Sequence, residues 1–552
     1  MGVAGLLRSI IKDYPSVHFF DPNFKVDYLF FDFNCLIYNS VNNVQSQGGF
    51  NFLKNQDNQL FKAELLKDLI SETKRIINVV KPQTLVYIAI DGVPPLAKML
   101  QQRERRYKRI FEEQLKEKYF PEKFVKGVKF DTNQIIPGTK FMDDLTKFFK
   151  SEIKKGVFGE IAIVFDGPNV PGEAEHKYLS LIDETPRGGN FVIYSKDGDQ
   201  IFLSLRFPNK NIFIMQPISG TQVENKYSNE TEFFYLDIKK LSYSIGEKFN
   251  QVPTEDYLFD VIFLSFLTGN DFIPEIFFLT YREDYLKTPL GIYNYQHNLL
   301  GERLVDREKM NVNQKFLTAI FNRLKNLEEK KFLEKKQRYE RNIDRNNYNK
   351  NKNVFKEFTF IEVWKKNNPL QPEFIKQFDE TYAKSSNIHE FKKRYYQFNQ
   401  ITDIKKACEN YLKMLVWNLR YYFGYQTYWE YCYPYLIAPF PSDIYDYLIK
   451  NPNFFQKIEI EIGKPANPES VALFSLPPQT LTPETLDEKL IQKVLKKYPQ
   501  YFPEHIKMNL LVASKFEHVK PFLIEPNIKD LNEMTKNSHK DKLFILLPKK
   551  SN

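Results

Sequence analysis

Short apolar runs alternate with amphipathic segments over about the first 280 residues of the chain. The apolar runs predict strands at 28–33, 84–90, 161–165, 191–194 and 212–215. The intervening segments 64–80 and 95–118 carry the apolar spacing of helices. Alternation of this kind predicts an α/β fold with a mostly parallel central sheet flanked by helices. In such sheets, ligands bind beyond the carboxyl ends of the strands.

The pattern changes beyond residue 280. Residues 313–330 predict a helix, and the stretch 328–356, dense in Lys, Arg, Glu and Asn, predicts a charged helix followed by a mobile loop. An aromatic-rich helical run is predicted at 411–435, and no internal repeat is present. The predicted division is an α/β region at 1–330, a charged helix and mobile loop at 331–370, and a mainly helical second region with a proline-rich tail at 371–552.

Seven carboxylates lie in five short motifs, each beside an apolar segment. They are Asp32, Asp91, Glu173, Glu175, Asp197, Asp199 and Asp271. Burying even one unpaired carboxylate costs roughly several kcal/mol, so this placement is unfavourable unless the charges share a counter-ion. Hard divalent cations prefer oxygen ligands, and Mg²⁺ is usual where a substrate also supplies phosphate oxygens. The pattern therefore points to metal-assisted phosphodiester cleavage.

Each motif also has a purely structural interpretation. Asp197-Gly198-Asp199 has the sequence of a hairpin turn. Glu173 and Glu175 are placed to interact with a helix dipole, Asp32 to end a strand, and the motif at 269–271 to form a turn after a helix. Taken singly, the turn and dipole interpretations are the better ones. The occurrence of all five motifs in one α/β region favours a shared site.

A row of basic and amide side chains follows Asp91. Its members are Lys98, Gln102, Arg105, Arg106 and Arg109, and on a helix they share one face. Most basic rows are simply solvated faces. This row begins close to a candidate metal ligand, and a Lys, an amide and Arg forks suit a terminal phosphate.

Composition narrows the function without deciding it. The net charge of +10 on 552 residues permits a nucleic-acid partner but does not demand one. The three cysteines form no C-x-x-C pair, so neither a zinc knuckle nor a disulfide framework is predicted, and a reducing compartment is favoured. Neither the N-terminal apolar run nor the one at 257–269 suits a signal peptide or a membrane span, so no membrane association is expected.

Aromatic residues make up 16% of the chain, and many of them cluster between residues 421 and 435. Part of this cluster is expected to pack in a core. Part of it would suit a platform on which bases stack, and the residues alone leave the two interpretations even.

These motifs, in this order, resemble the Xrn family of 5′→3′ exoribonucleases. The resemblance rests on the segments 1–3, 31–34, 89–106, 136–142, 170–177, 269–274, 421–435, 438–443, 476–478 and 501–503. The longest of them contains the run Ala-Ile-Asp-Gly-Val-Pro-Pro-Leu-Ala-Lys-Met at 89–99. The resemblance covers about 1–280 and 400–530.

The resemblance implies a 5′-nuclease or PIN-like catalytic domain in a Mg²⁺-dependent enzyme, with Mn²⁺ able to substitute. Its implied activity is processive removal of mononucleotides from single-stranded, 5′-monophosphorylated RNA. It implies that the seven carboxylates hold two metal ions. It also implies a pocket for the 5′-phosphate, formed by Lys98, Gln102, Arg105 and Arg106. It further implies that Tyr38 and Trp429 stack on bases of the RNA. A cytoplasmic enzyme is expected, and the sequence names no protein partner.

The chain departs from the family pattern in places. Tyr38 stands where the family usually has His, and the paired-Trp motif retains Trp429 but reads Tyr431 at its second position. Leu436 and Ile437 stand where His and Tyr are usual. These changes bear on processivity more than on activity. We expect a minimal core form of the family, of the kind that a virus or another compact A/T-rich genome would encode.

Two other functions are compatible with an acidic centre of this kind. A flap-type, structure-specific DNA nuclease would carry a glycine-rich helix-hairpin-helix after its last aspartate, whereas Asp271 is followed by Phe272-Ile273-Pro274. A non-catalytic RNA-binding scaffold built on an inactive nuclease would have lost a metal ligand. None of the seven carboxylates is missing, so both alternatives rank below the exoribonuclease.

Overall fold

The computed structural model describes residues 6–46, 58–119, 130–186, 188–218, 232–248, 250–279, 287–350, 381, 384–424, 427–509, 520–535 and 544–547. The strands in chain order are β1 (His18–Phe19), β2 (Tyr28–Asp32), β3 (Leu85–Ala89), β4 (Ala162–Asp166), β5 (Asn190–Tyr194), β6 (Asn211–Pro217), β7 (Phe233–Asp237), β8 (Val305–Asp306), β9 (Asn311–Val312), β10 (Lys507–Asn509), β11 (Lys520–Phe522) and β12 (Phe544–Leu546).

The five predicted strands form the parallel centre of an eight-stranded sheet with the order β1-β7-β6-β5-β2-β3-β4-β12. Strands β6, β5, β2, β3 and β4 pair in parallel, and β1, β7 and β12 extend the sheet with antiparallel edges. The central strands are almost continuously apolar because helices cover both faces of a parallel sheet. The predicted fold class is confirmed.

The order of the strands places a switch point beside β2. The chain passes through β3 and β4 on one side of β2 and then returns to β5 and β6 on the other. Asp32 is in register with Ala89, and Phe31 with Tyr194, so β2, β3 and β5 end at one level. The carboxyl ends of these strands therefore border the crevice in which open α/β sheets bind ligands.

The helices of the first region are α1 (Leu6–Asp13), α2 (Phe33–Ser46), α3 (Asn58–Val80), α4 (Leu96–Tyr119), α5 (Lys140–Lys154), α6 (Ala174–Glu184), α7 (Asp199–Leu205), α8 (Ile238–Lys248) and α9 (Glu255–Ser265). Those that follow are α10 (Lys287–Leu300), α11 (Gln314–Lys325), α12 (Glu328–Lys350), α13 (Ile388–Phe398), α14 (Ile404–Tyr422), α15 (Pro441–Lys450), α16 (Pro468–Ser475), α17 (Glu488–Lys497) and α18 (Ile528–Met534). None of the described helices combines the length and the apolar character that crossing a bilayer needs.

The later part of the chain packs directly on the α/β region. Arg103 of α4 is almost completely buried, and its guanidinium donates to the carbonyl oxygen of Phe474 at 2.7 Å and to that of Tyr501. Strand β12 pairs with the edge strand β4. Residues from both parts, such as Phe263 and Trp417, share one hydrophobic cluster. The α/β region is thereby held against the helices that follow it.

Several local predictions need correction. The aromatic-rich helix predicted at 411–435 ends at Tyr422, because Gly424 adopts φ +65° and stops it. The helix predicted at 313–330 is broken after Lys325, and α12 begins at Glu328. The hairpin interpretation of Asp197-Gly198-Asp199 is wrong, since α7 connects two parallel strands there.

The charged stretch forms helix α12 as far as Lys350. The mobile loop predicted after it lies outside the described residues. The division of the chain at residues 330 and 370 stays a prediction.

Candidate active site

The carboxylates that end β2 and follow β3 are held by short polar contacts. Asp32 is buried, and its Oδ2 accepts hydrogen bonds from the Cys35 thiol at 3.0 Å and the Ser195 hydroxyl at 2.9 Å. Burial and the neighbouring charge of Asp91 raise the pKa of Asp32 to about 6. Asp91 accepts from the Asn34 amide at 2.9 Å. Two candidate ligands therefore lie side by side at the switch point.

Helix α6 brings two more carboxylates to the same point. The backbone amide of Ala174, its first residue, donates to Asp91 Oδ1 at 3.0 Å, which ties the start of the helix to the end of β3. Burial raises the pKa of Glu173, and the charge of Asp91 adds to this effect. Burial and the charges of Glu173 and Asp91 raise the pKa of Glu175 well above its ordinary value. The Ala174–Asp91 hydrogen bond places Glu173 and Glu175 next to Asp91, so the three carboxylates repel one another.

The remaining three carboxylates come from the end of β5 and the turn after α9. The Asp199 amide donates to Asp197 Oδ1 at 3.1 Å. Burial and the charges of Asp197 and Asp271 raise the pKa of Asp199 well above its ordinary value. Gly269, at φ +82°, turns the chain so that Asp271 faces the cluster. The structure thus brings all seven predicted carboxylates to one edge of the sheet.

The Lys98 ammonium group lies within this cluster of carboxylates. Its Nζ is 2.6 Å from Glu173 Oε2 and 2.8 Å from Asp271 Oδ2. Burial alone would lower the pKa of Lys98, but the charges of Asp271 and Glu173 hold it well above its ordinary value. A cation therefore already bridges carboxylates from two separate elements.

In the described part of the chain, no three His, Cys, Asp or Glu side chains form a ready ligand set around one point. The carboxylates are satisfied instead by Lys98, hydroxyl groups and backbone amides. The donor set nevertheless fits a hard divalent cation, because every converging ligand is an oxygen and a cationic group already occupies a place between two of them.

The predicted basic face of α4 begins at this cluster and extends away from it. Gln102 Oε1 and Arg106 Nε are buried and have no hydrogen-bond partner among the described residues. Burial and the charge of Arg105 lower the pKa of Arg106 to about 10. Arg109 is exposed and bonds Glu113 at 3.2 Å. The inner members of the row therefore keep unused polar atoms, whereas Arg109 belongs to a solvated face.

The two predicted stacking residues occupy different environments. Tyr38 of α2 is 38% exposed. Trp429 is half-buried, and its carbonyl oxygen accepts from the Leu96 amide at the start of α4, at 2.8 Å. Other aromatic residues of the cluster are buried core residues, namely Tyr421, Tyr422, Tyr428 and Tyr433. The rings of these four residues pack in the core and are not exposed for bases to stack on.

Comparisons with known proteins place this chain in a family. The model of the XRN 5′-3′ exonuclease N-terminus matches residues 1–218, and that of the Xrn1 helical domain matches 251–387 and 386–482. Together these matches take in most of the chain. The chain belongs to the XRN 5′-3′ exonuclease family.

Individual relatives share modest identity. The chain is 26% identical to human 5′-3′ exoribonuclease 1 over 86% of its own length and 30% of the human protein. It is 29% identical to the Saccharomyces cerevisiae 5′-3′ exoribonuclease 1 over 50% of this chain and 19% of the yeast protein. It is 27% identical to the Emericella nidulans 5′-3′ exoribonuclease 2 over 48% of this chain and 33% of that protein. The chain therefore spans about a third or less of the length of these relatives.

Some residues of this XRN site were not predicted from the sequence. The Tyr421 hydroxyl donates to Glu173 Oε1, and Asn418 accepts from the amide of Asn270, the neighbour of Asp271, at 2.9 Å. Helix α14 thus supports two of the carboxylate motifs from behind. Both residues are separated from the motifs by well over a hundred positions. The sequence signal for this contact was therefore limited to the aromatic cluster, which contains Tyr421.

Lys177 and His176 follow the carboxylates of α6 within one family motif. Lys177 Nζ donates to the carbonyl oxygens of Ile90 and Gly167, both at 2.8 Å, and lies 3.0 Å from Asp166 Oδ1. It therefore holds the ends of β3 and β4 together just before Asp91. Burial and nearby positive charges lower the pKa of His176 to about 3, so its ring is neutral.

Proposed function

We propose that this chain is a divalent-cation-dependent 5′→3′ exoribonuclease that hydrolyses single-stranded, 5′-monophosphorylated RNA processively to mononucleotides. The observation that carries the proposal is the convergence of seven carboxylates at the sheet edge from which the basic face of α4 extends. An oxygen-rich site next to a pocket for one terminal phosphate suits end-directed phosphodiester hydrolysis. We further propose Mg²⁺ as the cation, held by all seven carboxylates in a two-metal arrangement, with Mn²⁺ able to substitute.

Bound divalent cations would supply a water of lowered pKa and neutralise the charge that develops on the phosphate. The seven carboxylates hold the site, and their hydrogen bonds to Cys35, Ser195 and Tyr421 fix the orientation of Asp32 and Glu173. The raised pKa values of Asp32 and Glu173 mean that a cation and a proton compete for the oxygens of these two carboxylates.

Lys98 has two roles in this proposal. Without cations its ammonium group neutralises Glu173 and Asp271. With divalent cations held by those carboxylates, the ammonium group would be available to bind the 5′-phosphate together with the Gln102, Arg105 and Arg106 side chains. The unpartnered atoms Gln102 Oε1 and Arg106 Nε support a site in which a ligand or its water completes the hydrogen bonding.

End specificity follows from the size and charge of such a pocket. A single phosphate presents oxygens to Lys and Arg forks, whereas a cap or an internal linkage has no free terminal phosphate to insert. Tyr38 and Trp429 provide aromatic rings on which RNA bases stack without sequence preference. A cytoplasmic location stays a prediction, compatible with the three free cysteines.

The test is a panel of otherwise identical single-stranded RNAs with a 5′-monophosphate, 5′-triphosphate, cap or 5′-hydroxyl, with a matched DNA, assayed with Mg²⁺ and with EDTA. We expect rapid degradation of the 5′-monophosphate RNA with Mg²⁺ and no degradation of it with EDTA. A branched DNA flap is included as a further substrate, and its preferential cleavage would instead indicate the flap-type nuclease. RNA binding with no cleavage of any substrate would indicate the scaffold.

A further inference from the structure

A cavity opens at the start of α4, and none of the seven carboxylates of the candidate active site contributes to its lining. Its volume is about 730 Å³, within the size range of ligand pockets. Acidic side chains dominate its lining: Glu430, Glu459, Glu461 and Glu525. The lining also contains two lysines, but Lys529 pairs with Glu430 at 3.2 Å and Lys413 with Glu409 at 2.9 Å. The cavity is therefore acidic in a chain whose net charge is +10.

One wall of the cavity has the sequence of a β-strand. Residues 458–462 read Ile-Glu-Ile-Glu-Ile, the strict alternation typical of a half-buried strand. This segment nevertheless pairs with no strand of the described chain. The carbonyl oxygen of Ile462 accepts from the Trp429 amide at 2.8 Å, and within the described residues no backbone hydrogen bond involves residues 458–461. The segment belongs to no sheet of the described chain, and its unpaired backbone groups can therefore pair with another extended chain.

The side chains around this segment define what would bind there. Glu459 and Glu461 are exposed and form no ion pair with a described residue. Ile462 is 49% exposed, and Ile524, which precedes Glu525 of the lining, is 57% exposed. Basic side chains would neutralise the two carboxylates, and apolar side chains would cover the two isoleucines. RNA is disfavoured because its phosphates carry the same sign of charge as the lining.

We propose that the cavity and residues 458–462 form a docking site for an extended segment of a protein partner in which Lys or Arg alternates with β-branched apolar residues. The segment adds a strand to residues 458–461 through backbone hydrogen bonds, and its basic side chains meet Glu459, Glu461 and Glu525. Strand addition of this type gains affinity from the backbone and specificity from alternate side chains. The site adjoins the proposed RNA-binding residues, because the Trp429 amide bonds Ile462 and Leu96 of the lining begins α4. None of the seven carboxylates lines it, so peptide binding is measured directly and without a nuclease assay.

The first measurement is fluorescence anisotropy of a labelled octapeptide of alternating Lys and Val titrated with the full chain. We expect saturable binding, and the exposed double substitution Glu459→Lys/Glu461→Lys should weaken it by at least about tenfold. The matched control is Glu504→Lys, an exposed Glu outside the cavity lining, which should leave the affinity unchanged. No binding up to about 1 mM, or equal weakening by the control, would overturn the proposal.

The second measurement is amide hydrogen exchange of the full chain with and without the peptide. Strand addition requires slower exchange at residues 459–461, because their amides gain partners. Peptide binding without this protection would mean electrostatic adsorption alone, contrary to the proposal. Concentration-dependent dimerisation that the double substitution abolishes would also contradict it, since the occupant would then be a second copy of this chain.

Discussion

At the scale of single residues, Glu175 is a buried carboxylate that other carboxylates surround. Burial and the charges of Glu173 and Asp91 raise its pKa well above the ordinary value, and none of the hydrogen bonds among the described residues involves its side chain. Glu175→Gln keeps the shape and removes the charge. We expect cleavage to be lost, while the free energy of unfolding in EDTA rises by about 1 kcal/mol through relief of repulsion.

The control for this substitution is Glu184→Gln, at the exposed end of the same helix. It should change neither activity nor stability. Chemical denaturation in EDTA and cleavage of 5′-monophosphate RNA in Mg²⁺ are the two measurements. Near-normal turnover by Glu175→Gln would exclude this residue from the metal site.

The pH dependence of stability tests the same repulsion at Asp32. Its pKa is raised from 3.8 to about 6 in the folded protein, so ionisation opposes folding. Without divalent cations, the parent therefore loses stability relative to Asp32→Asn as the pH rises from about 4 to about 6, by roughly 2–3 kcal/mol, with no further change above that window. Denaturant titrations in EDTA across this pH range measure the free energy of unfolding of both proteins. If the parent instead gains stability relative to Asp32→Asn as the pH rises, the folded protein stabilises Asp32 as the anion.

At the scale of elements, helix α14 joins the helical second region to the carboxylates. The Tyr421 hydroxyl donates to Glu173 Oε1, and the hydrogen bond to a charged group is worth about 1.5–3 kcal/mol. We expect Tyr421→Phe to lower kcat by about tenfold to a hundredfold, with little change in KM. The control is Tyr433→Phe, which removes a buried hydroxyl that donates to the Ile437 carbonyl oxygen at 2.9 Å.

Both substitutions should lower stability similarly, because each leaves a buried acceptor without its donor. Only Tyr421→Phe should reduce kcat. Equal kinetic effects of the two would mean that Tyr421 contributes to packing alone.

The elements also show what the sequence was able to predict. The five central strands were predictable because their apolar runs are buried on both faces by helices, a local property of the sequence. The convergence of six carboxylates was predictable because they lie at or just after the end of such a strand or at the start of a helix, whereas Asp271 lies in a turn after α9. The end of α14 depends on a positive φ at Gly424, and the Tyr421–Glu173 contact joins residues far apart in the chain, so neither was visible in local patterns.

At the scale of the whole molecule, the two aromatic residues would link successive cleavages. Tyr38 projects from the α/β region, and Trp429 lies in the second region but bonds the start of α4. Base stacking is worth about 1–3 kcal/mol per base, so Tyr38→Ala and Trp429→Ala should keep the first cleavage but dissociate earlier. Tyr38→His should match or exceed the parent, because it restores the usual family residue.

Product length on a single-stranded 5′-phosphate RNA, under a heparin trap, measures this effect. A ladder of intermediates is expected from both alanine variants. Complete degradation by both would mean that these aromatic residues serve only in packing.

The central claim is that the inner face of α4 binds a terminal 5′-phosphate beside the carboxylates. The most direct measurement is kcat/KM of Arg105→Ala and of Arg109→Ala on RNAs that differ only in a 5′-phosphate or a 5′-hydroxyl. We expect Arg105→Ala to lose about 2–5 kcal/mol of transition-state binding on the 5′-phosphate RNA only, and Arg109→Ala, whose side chain bonds Glu113, to lose almost nothing. An equal loss of kcat/KM by Arg105→Ala on both RNAs would contradict the account, because it would mean that α4 binds the RNA backbone in general and not the terminal phosphate.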